Sequence, residues 1–168
     1  MSVKFDVKLT SQDMYRFNIH HAYTSLQGIL SLVLGVFIIA VIIVSDQFRD
    51  FISVLPYVAL ALVFFLYIPI TLWFRSKRQI AMSEVMRETL HYELTDEGIV
   101  VKSDALDEEA LLPWGQVYKA ITTRNNFLIY SNRVNAYIIP KAQTEDKLSE
   151  IYDAFEKHCE AYRLKIKR

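Results

Sequence analysis

The sequence predicts an α+β membrane protein, in which a two-helix transmembrane hairpin is inserted into a small antiparallel β-barrel domain with a C-terminal amphipathic helix. Three observations predict this fold class. Two runs of 24 residues, 22–45 and 51–74, contain no Asp, Glu, Lys or Arg. Short segments outside these runs alternate apolar and polar residues, and the final segment has apolar residues at helical spacing. The hydrophobic content of 52% excludes a disordered chain, and the single cysteine excludes a disulfide scaffold.

Residues 1–21 are predicted to contribute a strand and a helix to the cytosolic domain. Residues 3–9 alternate apolar and polar side chains, which is typical of a half-buried strand. One strand has too little core to be stable alone, so we expect it to pair with the segment after the hairpin. Thr10 or Ser11 can cap the helix that follows, with Asp13 in its first turn, or Asp13 can pair with Arg16.

The two uncharged runs are each long enough to cross a membrane, since about 20 apolar helical residues span a hydrocarbon core of about 30 Å. The alternative is a pair of buried core helices, but the remaining chain is too short to surround them. Only residues 46–50 separate the runs, so the helices form a hairpin over residues 22–74. Polar residues are spread throughout the first 21 positions, which disfavours a cleavable signal peptide with its continuous apolar region.

The charges beside the spans predict the orientation of the hairpin. The connecting loop holds only Arg49, whereas both flanking segments are basic. An excess of Lys and Arg marks the cytoplasmic side, so both termini are predicted to be cytoplasmic. The flanking cations are Lys4, Lys8 and Arg16 before the first span and Arg75, Lys77 and Arg78 after the second.

Two features inside the spans bear on helix packing. Ser31 and Gly35 are small residues one helical turn apart, which lets helices approach closely, either within the hairpin or between two copies. Pro69 predicts a kink near the end of the second span.

Residues 75–168 are predicted to hold a linker helix, a β domain and a C-terminal helix. With the N-terminal strand, the pattern gives seven antiparallel strands. Gly98 lies in a hairpin loop over residues 96–98, where we expect a positive φ. A helix is predicted from Thr144 to the end of the chain. This order of elements is typical of a pleckstrin-homology-like (PH-like) barrel. The other six predicted strands are 91–95, 99–103, 110–112, 117–123, 127–130 and 136–139.

Several short motifs, in order along the chain, carry a family resemblance. They are Leu9-Thr10 with Asp13, Phe17-Asn18 and His21, then Tyr92-Glu-Leu-Thr-Asp-Glu-Gly-Ile99, Trp114, Phe127-Leu-Ile-Tyr130 and Ala136-Tyr-Ile-Ile-Pro-Lys141. The chain thereby resembles the YcxB-like membrane proteins of bacteria. The resemblance implies two spans joined to a cytosolic domain similar to bacterial pleckstrin-homology domains, located at the bacterial cell membrane. It implies no established activity.

The sequence contains no recognisable catalytic or metal-binding motif: a P-loop, a Gly-rich dinucleotide turn, His-Glu-x-x-His and Gly-x-Ser-x-Gly are all absent. We therefore predict no catalytic residue, no metal and no cofactor. His20 and His21 are adjacent and point about 100° apart on a helix, which favours packing over a shared metal ion. Cys159 falls on the apolar side of the last helix, which favours a core position over a reactive thiol.

Charge is segregated along the β domain. Residues 93–116 are strongly acidic, whereas residues 117–141 carry no acid. The basic stretch is either a set of solvated loops or a surface for anionic lipid or a protein partner. Trp114 is either buried in the core or an exposed anchor for such a surface. The candidate surface comprises Arg75, Lys77, Arg78, Lys119, Arg124, Arg133 and Lys141.

These observations leave two hypotheses of function. The first is a non-enzymatic module tethered to the inner leaflet, whose PH-like domain recruits a membrane protein or reads anionic lipid. The second is an immunity or modulator protein whose hairpin acts on a pore-forming peptide or a membrane enzyme. An enzyme ranks third. The bilayer and a protein partner or a second copy are the expected partners, and nucleic acid is not, because the net charge is zero.

Overall fold

The computed structural model describes residues 2–44 and 51–167. They divide into two compact units, a sheet unit (residues 2–17 and 77–167) and a helical unit (residues 18–44 and 51–76). The predicted connecting loop, residues 46–50, lies outside the described residues. The helical unit interrupts the sequence of the sheet unit, as the sequence predicts for a hairpin inserted in a domain.

Among the described residues, one strand precedes five successive helices, six strands follow them, and a last helix and a short strand end the order. The helices are α1 (Ser11–Thr24), α2 (Leu26–Val44), α3 (Phe51–Leu62), α4 (Ile68–Met82), α5 (Glu84–Arg87) and α6 (Leu148–His158). The strands are β1 (Val3–Lys8), β2 (Thr89–Leu94), β3 (Gly98–Ser103), β4 (Leu106–Pro113), β5 (Lys119–Thr122), β6 (Asn126–Tyr130), β7 (Ala136–Pro140) and β8 (Leu164–Lys165).

The first sheet has the order β1-β2-β3-β4, and every neighbouring pair is antiparallel. β1 pairs with β2 over its whole length, from Val3 opposite Leu94 to Lys8 opposite Thr89. Its side chains alternate between buried and exposed, because one face of the strand lies on the core. The predicted pairing of the N-terminal strand with the segment after the hairpin is confirmed.

The second sheet has the order β7-β6-β5-β8, with β8 parallel to β5. All five residues of β6 are buried. On one face, Phe127 packs edge to face against Tyr152 and Phe155 of α6, at 5.3 and 5.0 Å between ring centroids. On the opposite face, Tyr130 lies 6.1 Å from Phe17 of α1. A helix therefore contacts each face of the second sheet, and Tyr137 of β7 also packs edge to face against Tyr92 of β2, with ring centroids 6.3 Å apart.

The predicted closed barrel is wrong. The strands form two separate four-stranded sheets, and β8 is an additional strand. Alternation along a strand shows which face is buried but carries no information about which edges pair, so it cannot establish closure. The α+β class and the seven predicted strands are otherwise confirmed, with shifted ends.

The conformation predicted for Gly98 is also wrong, because its φ is not positive. A Cβ atom built on Gly98 would lie 2.4 Å from the carbonyl oxygen of Leu112 and 2.8 Å from Cα of Pro113. The glycine is needed for the close approach of β3 to β4 and not for a left-handed turn.

The last helix is shorter than predicted. α6 ends at His158, and the backbone N–H of Cys159 donates to the carbonyl of Phe155 at 2.9 Å. The following segment leaves the helical path, because Arg163 donates to the carbonyls of Gly115 and Val117 at 3.0 Å each. Cys159 is half-buried, and burial raises the pKa of its thiol to about 11, which favours the core interpretation.

In the helical unit the first apolar helix begins at Leu26 and not at Ala22. Ser25 breaks the helix, because its hydroxyl donates to the carbonyl of Ala22 at 2.6 Å and accepts from the N–H of Gly28 at 3.1 Å. A Cβ atom on Gly28 would lie 1.8 Å from that same carbonyl oxygen, so this junction requires glycine.

The second apolar helix contains a π-helical turn, Val63–Tyr67, between α3 and α4. Pro69 lacks the N–H that would bond to the carbonyl of Phe65, and a wider turn accommodates that loss. The Thr71 hydroxyl lies 2.8 and 3.0 Å from the carbonyls of Tyr67 and Ile68, to which it can donate. The kink predicted near Pro69 stays a prediction, and the structure places a π-helical turn two residues before this proline.

Both apolar helices are long and apolar enough to span a membrane. Their side chains are mostly exposed, with Val44 at 83% and Ile52 at 84% of full exposure. Such exposure does not fit helices buried in a soluble core. α2 lies against α3, and Gly35 is buried whereas Ser31 bonds to the carbonyl of Gln27 of its own helix.

Candidate anion-binding cleft

Four cations lie at the ends of β5, β6 and β7 in the second sheet: Lys119, Arg124, Arg133 and Lys141. None of them makes an ion pair with any of the residues that the structure describes. Lys119 instead places its ammonium 4.3 Å above the ring centre of Tyr130. Unpaired cations outside the core are available to bind an external anion.

The first sheet differs, because several of its charges are paired on its solvent face. Lys4 lies 3.1 Å from Glu93, and Lys102 lies 3.7 Å from Glu109. His91 contacts Asp6 and Asp104 at 2.7 and 2.9 Å, and Asp96 contacts Lys157 of α6 at 3.3 Å. Many of the acids of residues 93–116 therefore have local partners.

Two of the unpaired cations, Arg124 and Lys141, meet at one cleft of about 480 Å³, together with Arg16 of α1. We name this the cationic cleft. Three segments contribute its polar side chains: Thr10, Asp13 and Arg16 from the start of α1, Arg124 and Asn125 from the β5–β6 turn, and Lys141, Gln143 and Glu145 from the segment after β7.

The start of α1 is fixed by a reciprocal cap. The N–H and the hydroxyl of Thr10 lie 3.2 and 2.5 Å from Oδ2 of Asp13, and the Asp13 N–H donates to the Thr10 hydroxyl at 3.2 Å. This is a capping box, with Asp13 in the place of the usual glutamate. Asp13 also lies 3.6 Å from Arg16, so both interactions predicted for Asp13 are present.

The β5–β6 turn holds Arg124 by local and distant hydrogen bonds. The N–H of Thr123 donates to the carbonyl of Asn126 at 2.8 Å, and the N–H of Asn126 returns a bond to the Thr123 hydroxyl at 3.0 Å. The buried amide of Asn126 donates to the carbonyl of Asp13 at 3.5 Å. The turn and the start of α1 are thereby joined directly.

The segment that carries Lys141 is held on both sides. The backbone N–H of Lys141 donates to the carbonyl of Asn125 at 2.9 Å. The Gln143 side chain accepts from the N–H of Lys8 at 2.8 Å and donates to its carbonyl at 2.9 Å. These bonds fix the backbone under the cations, so an entering anion would meet a positioned site.

The electrostatics of the cleft favour an anion. Partial burial lowers the pKa of Lys141, which means that its ammonium has lost part of its hydration without gaining a carboxylate partner. Arg124 is exposed, and Arg16 retains 40% side-chain exposure despite its contact with Asp13. Arginine and lysine beside one another can hold a phosphate or carboxylate oxygen from two sides.

The structure does not bring all the predicted surface residues to this cleft. Arg133 is exposed in the β6–β7 turn, Arg75 belongs to the helical unit, and neither they nor Lys119, Lys77 and Arg78 line the cleft. Arg16 lines it but was not among the predicted surface residues. In the sequence, the spacing of Arg16 from Asp13 predicts only a local ion pair. Its place in the cleft follows from the tertiary contact of α1 with β6.

Trp114, the candidate anchor, lies in the core. Its indole is 7% exposed, donates to the carbonyl of Thr95 at 2.9 Å and stacks on His158 with ring centroids 4.9 Å apart. The indole also packs edge to face against Phe155, with ring centroids 5.1 Å apart. An exposed anchoring role is therefore corrected to a core role.

Residues 94–156 match the family model described as YcxB-like protein. The family predicted from the sequence is thus confirmed over this stretch, which runs from the end of β2 through most of α6 and includes Arg124 and Lys141. Comparison with curated proteins and with solved structures finds no match.

Proposed function

With the YcxB-like match over residues 94–156 as the premise, we propose that the chain is a non-enzymatic, membrane-tethered regulatory module whose cationic cleft binds anionic lipid headgroups of the inner leaflet. The observation that carries this proposal is the presence of two unpaired cations, Arg124 and Lys141, at one cleft. The hairpin interrupts the sequence of the sheet unit, so a hairpin in the membrane would tether that unit to it.

The energetics support a lipid surface. A Lys or Arg near an anionic leaflet contributes about 1 kcal/mol, or roughly fivefold in affinity. Two such contacts are weak for a freely diffusing protein. A domain tethered to the membrane is held at a high effective concentration of lipid, so weak contacts suffice.

The charge bias around the spans supports a cytoplasmic location of the sheet unit at the bacterial cell membrane. Lys4, Lys8 and Arg16 precede the first span, and Arg75, Lys77 and Arg78 follow the second. Under the positive-inside rule both flanks face the cytoplasm, where the anionic leaflet lies.

The proposal is tested by native mass spectrometry of the full chain in a non-ionic detergent, titrated with phosphatidylglycerol or phosphatidylcholine. The double variant Arg124→Ser/Lys141→Ser should bind phosphatidylglycerol roughly 25-fold more weakly. The matched control Lys4→Ser/Lys102→Ser removes the same charge from paired positions of the first sheet and should bind within about twofold of the parent. Equal losses in both variants, or no preference for phosphatidylglycerol, would refute the proposal.

The alternative is a modulator that acts through the hairpin, which is favoured by the exposed apolar side chains of α2 to α4. Replacing residues 22–74 by an unrelated two-helix hairpin separates the two functions. A lipid-reading module retains its cellular phenotype after this exchange, whereas a modulator of a membrane peptide or enzyme loses it.

A further inference from the structure

Two further polar groups at the cationic cleft bear on which anion it takes. Glu145 and Asn125 are both exposed, and Glu145 makes no ion pair with any described residue. Asp13 and Arg16 compensate each other at 3.6 Å. With Asp13 and Arg16 counted as a neutral pair, the cleft holds two cations, one carboxylate and one amide, with a single positive charge in excess.

This set of groups discriminates among phosphate ligands by charge. A phosphomonoester carries about −1.5 to −2 at pH 7 and would bring a second negative charge into a cleft that already holds the Glu145 carboxylate. A phosphodiester carries a single negative charge, which two cations and one carboxylate balance. An uncompensated like-charge contact is unfavourable, so the carboxylate opposes the monoester.

The same groups favour a ligand with hydroxyl groups. An ionised carboxylate only accepts hydrogen bonds, whereas an amide both accepts and donates. Free hydroxyls on the ligand would donate to Glu145 and exchange bonds with Asn125, while Arg124 and Lys141 hold the phosphate. A bare phosphate offers no donor to Glu145, whose exposed carboxylate would then stay bonded to water.

We infer that the cationic cleft selects a singly charged phosphodiester bearing free hydroxyl groups, of the phosphoglycerol type, over a phosphomonoester. This inference rests on the proposed function and names its ligand class. The shared chemistry is present both in a lipid headgroup and in the water-soluble glycerophosphoglycerol that remains after the acyl chains are removed.

The test compares phosphatidylglycerol with phosphatidic acid, both with short acyl chains, by native mass spectrometry of the full chain. The parent should bind phosphatidylglycerol roughly fivefold more tightly, the equivalent of one surface like-charge contact. Glu145→Gln should abolish or reverse this preference. The control Glu108→Gln removes an exposed, unpaired carboxylate on β4, away from the cleft, and should retain it.

Acidification provides a second measurement. At about pH 5 a phosphomonoester loses most of its second charge, since that ionisation has a pKa of about 6. The preference for phosphatidylglycerol in the parent should therefore shrink, with no change in protein sequence. Competition by glycerophosphoglycerol distinguishes the lipid headgroup from the free ligand. If it competes, the cleft also binds the water-soluble ligand. If it does not compete, the cleft requires the intact lipid.

The inference is overturned if phosphatidic acid binds the parent as tightly as phosphatidylglycerol, or if Glu145→Gln leaves the preference intact. Either result is compatible with a cleft that binds anionic lipid without selecting the headgroup. Failure of the proposed function looks different, because the parent and Arg124→Ser/Lys141→Ser would then bind both lipids equally.

Discussion

The two sheets of this protein use charge in opposite ways. The first sheet has one face on the core and one toward solvent, and its solvent face carries paired charges such as Lys4 with Glu93 and Lys102 with Glu109. The second sheet is contacted by a helix on each face, and the four cations at the ends of β5, β6 and β7 make no ion pair with any residue that the structure describes.

This difference between the sheets indicates where an anionic ligand should bind. A charge that is already paired on a strand face contributes little when a ligand approaches, because binding must first break the existing pair. Lys119, Arg124, Arg133 and Lys141 make no ion pair with any described residue, so a ligand that binds them has no such pair to break. The second sheet therefore combines a strand that is buried along its whole length, β6, with the candidate site, and variants of the two sheets should separate stability from binding.

The largest expected effect tests the double coverage of the second sheet. Phe127 is fully buried between α6 aromatic rings, so Phe127→Ala should lower the free energy of unfolding by about 3–5 kcal/mol. The control is Leu111→Ala on β4 of the first sheet, where the side chain is 51% exposed and the loss should stay below about 1 kcal/mol.

Urea unfolding of the detergent-solubilised full chain measures both losses. Trp114 is the probe, in a Trp73→Phe background, because its indole stacks on His158 and packs against Phe155 within the core. Similar losses for the two variants would mean that the sheets are equally covered, and the comparison would fail.

A smaller effect tests the close approach of strands in the first sheet. Gly98→Ala places a methyl group 2.4 Å from the carbonyl oxygen of Leu112, which forces β3 and β4 apart. Overpacking of this kind costs about 1–3 kcal/mol. Gly115→Ala is the matched control, since nothing lies within 4 Å of its added Cβ atom. A stable Gly98→Ala variant would show that the sheet edge yields without cost.

Gly98 also illustrates what sequence alone can and cannot predict. Its position in a polar loop between two alternating runs correctly indicates a hairpin. The reason for glycine is a contact with β4, a strand that begins several residues later, and no local pattern reports such a contact. The predicted positive φ is a sound inference from turn chemistry that tertiary packing overrides.

The same limit applies to the architecture. Alternation in residues 3–9 predicts β1, and the apolar run 127–130 predicts β6, because each depends on burial of nearby side chains. Closure of a barrel and the two-residue strand β8 depend on distant partners and leave no periodic signal.

The candidate site was predicted only in part, for a related reason. Arg124 and Lys141 stand out as cations in an acid-free stretch, whereas Arg16 lies more than a hundred residues earlier and reaches the cleft through the packing of α1 on β6. Local composition therefore identifies the basic stretch, whereas the tertiary structure determines which cations line the cleft.

The smallest effect concerns the paired charges of the first sheet. His91 lies between Asp6 and Asp104, and its hydrogen bonds to both carboxylates raise the pKa of its imidazole. Lys102 faces His91 from β3 and pairs with Glu109, so the imidazolium is held mainly by the two aspartates. Only the doubly protonated ring can donate to both at once.

Because the pKa of His91 is raised in the folded state, its contribution to stability must fall as the pH rises. The stabilisation is fully present below the ordinary imidazole pKa of about 6.5, and it is lost as the pH rises through the higher value in the folded protein. His91→Gln should thus cost up to about 1 kcal/mol at about pH 5.5, a small value because all three groups are exposed, and almost nothing at about pH 9. Urea unfolding at both pH values measures the difference. A cost that is constant or grows with pH would show that the pairing is not ionic, and the contrast between the sheets would then rest on the second sheet's unpaired cations alone.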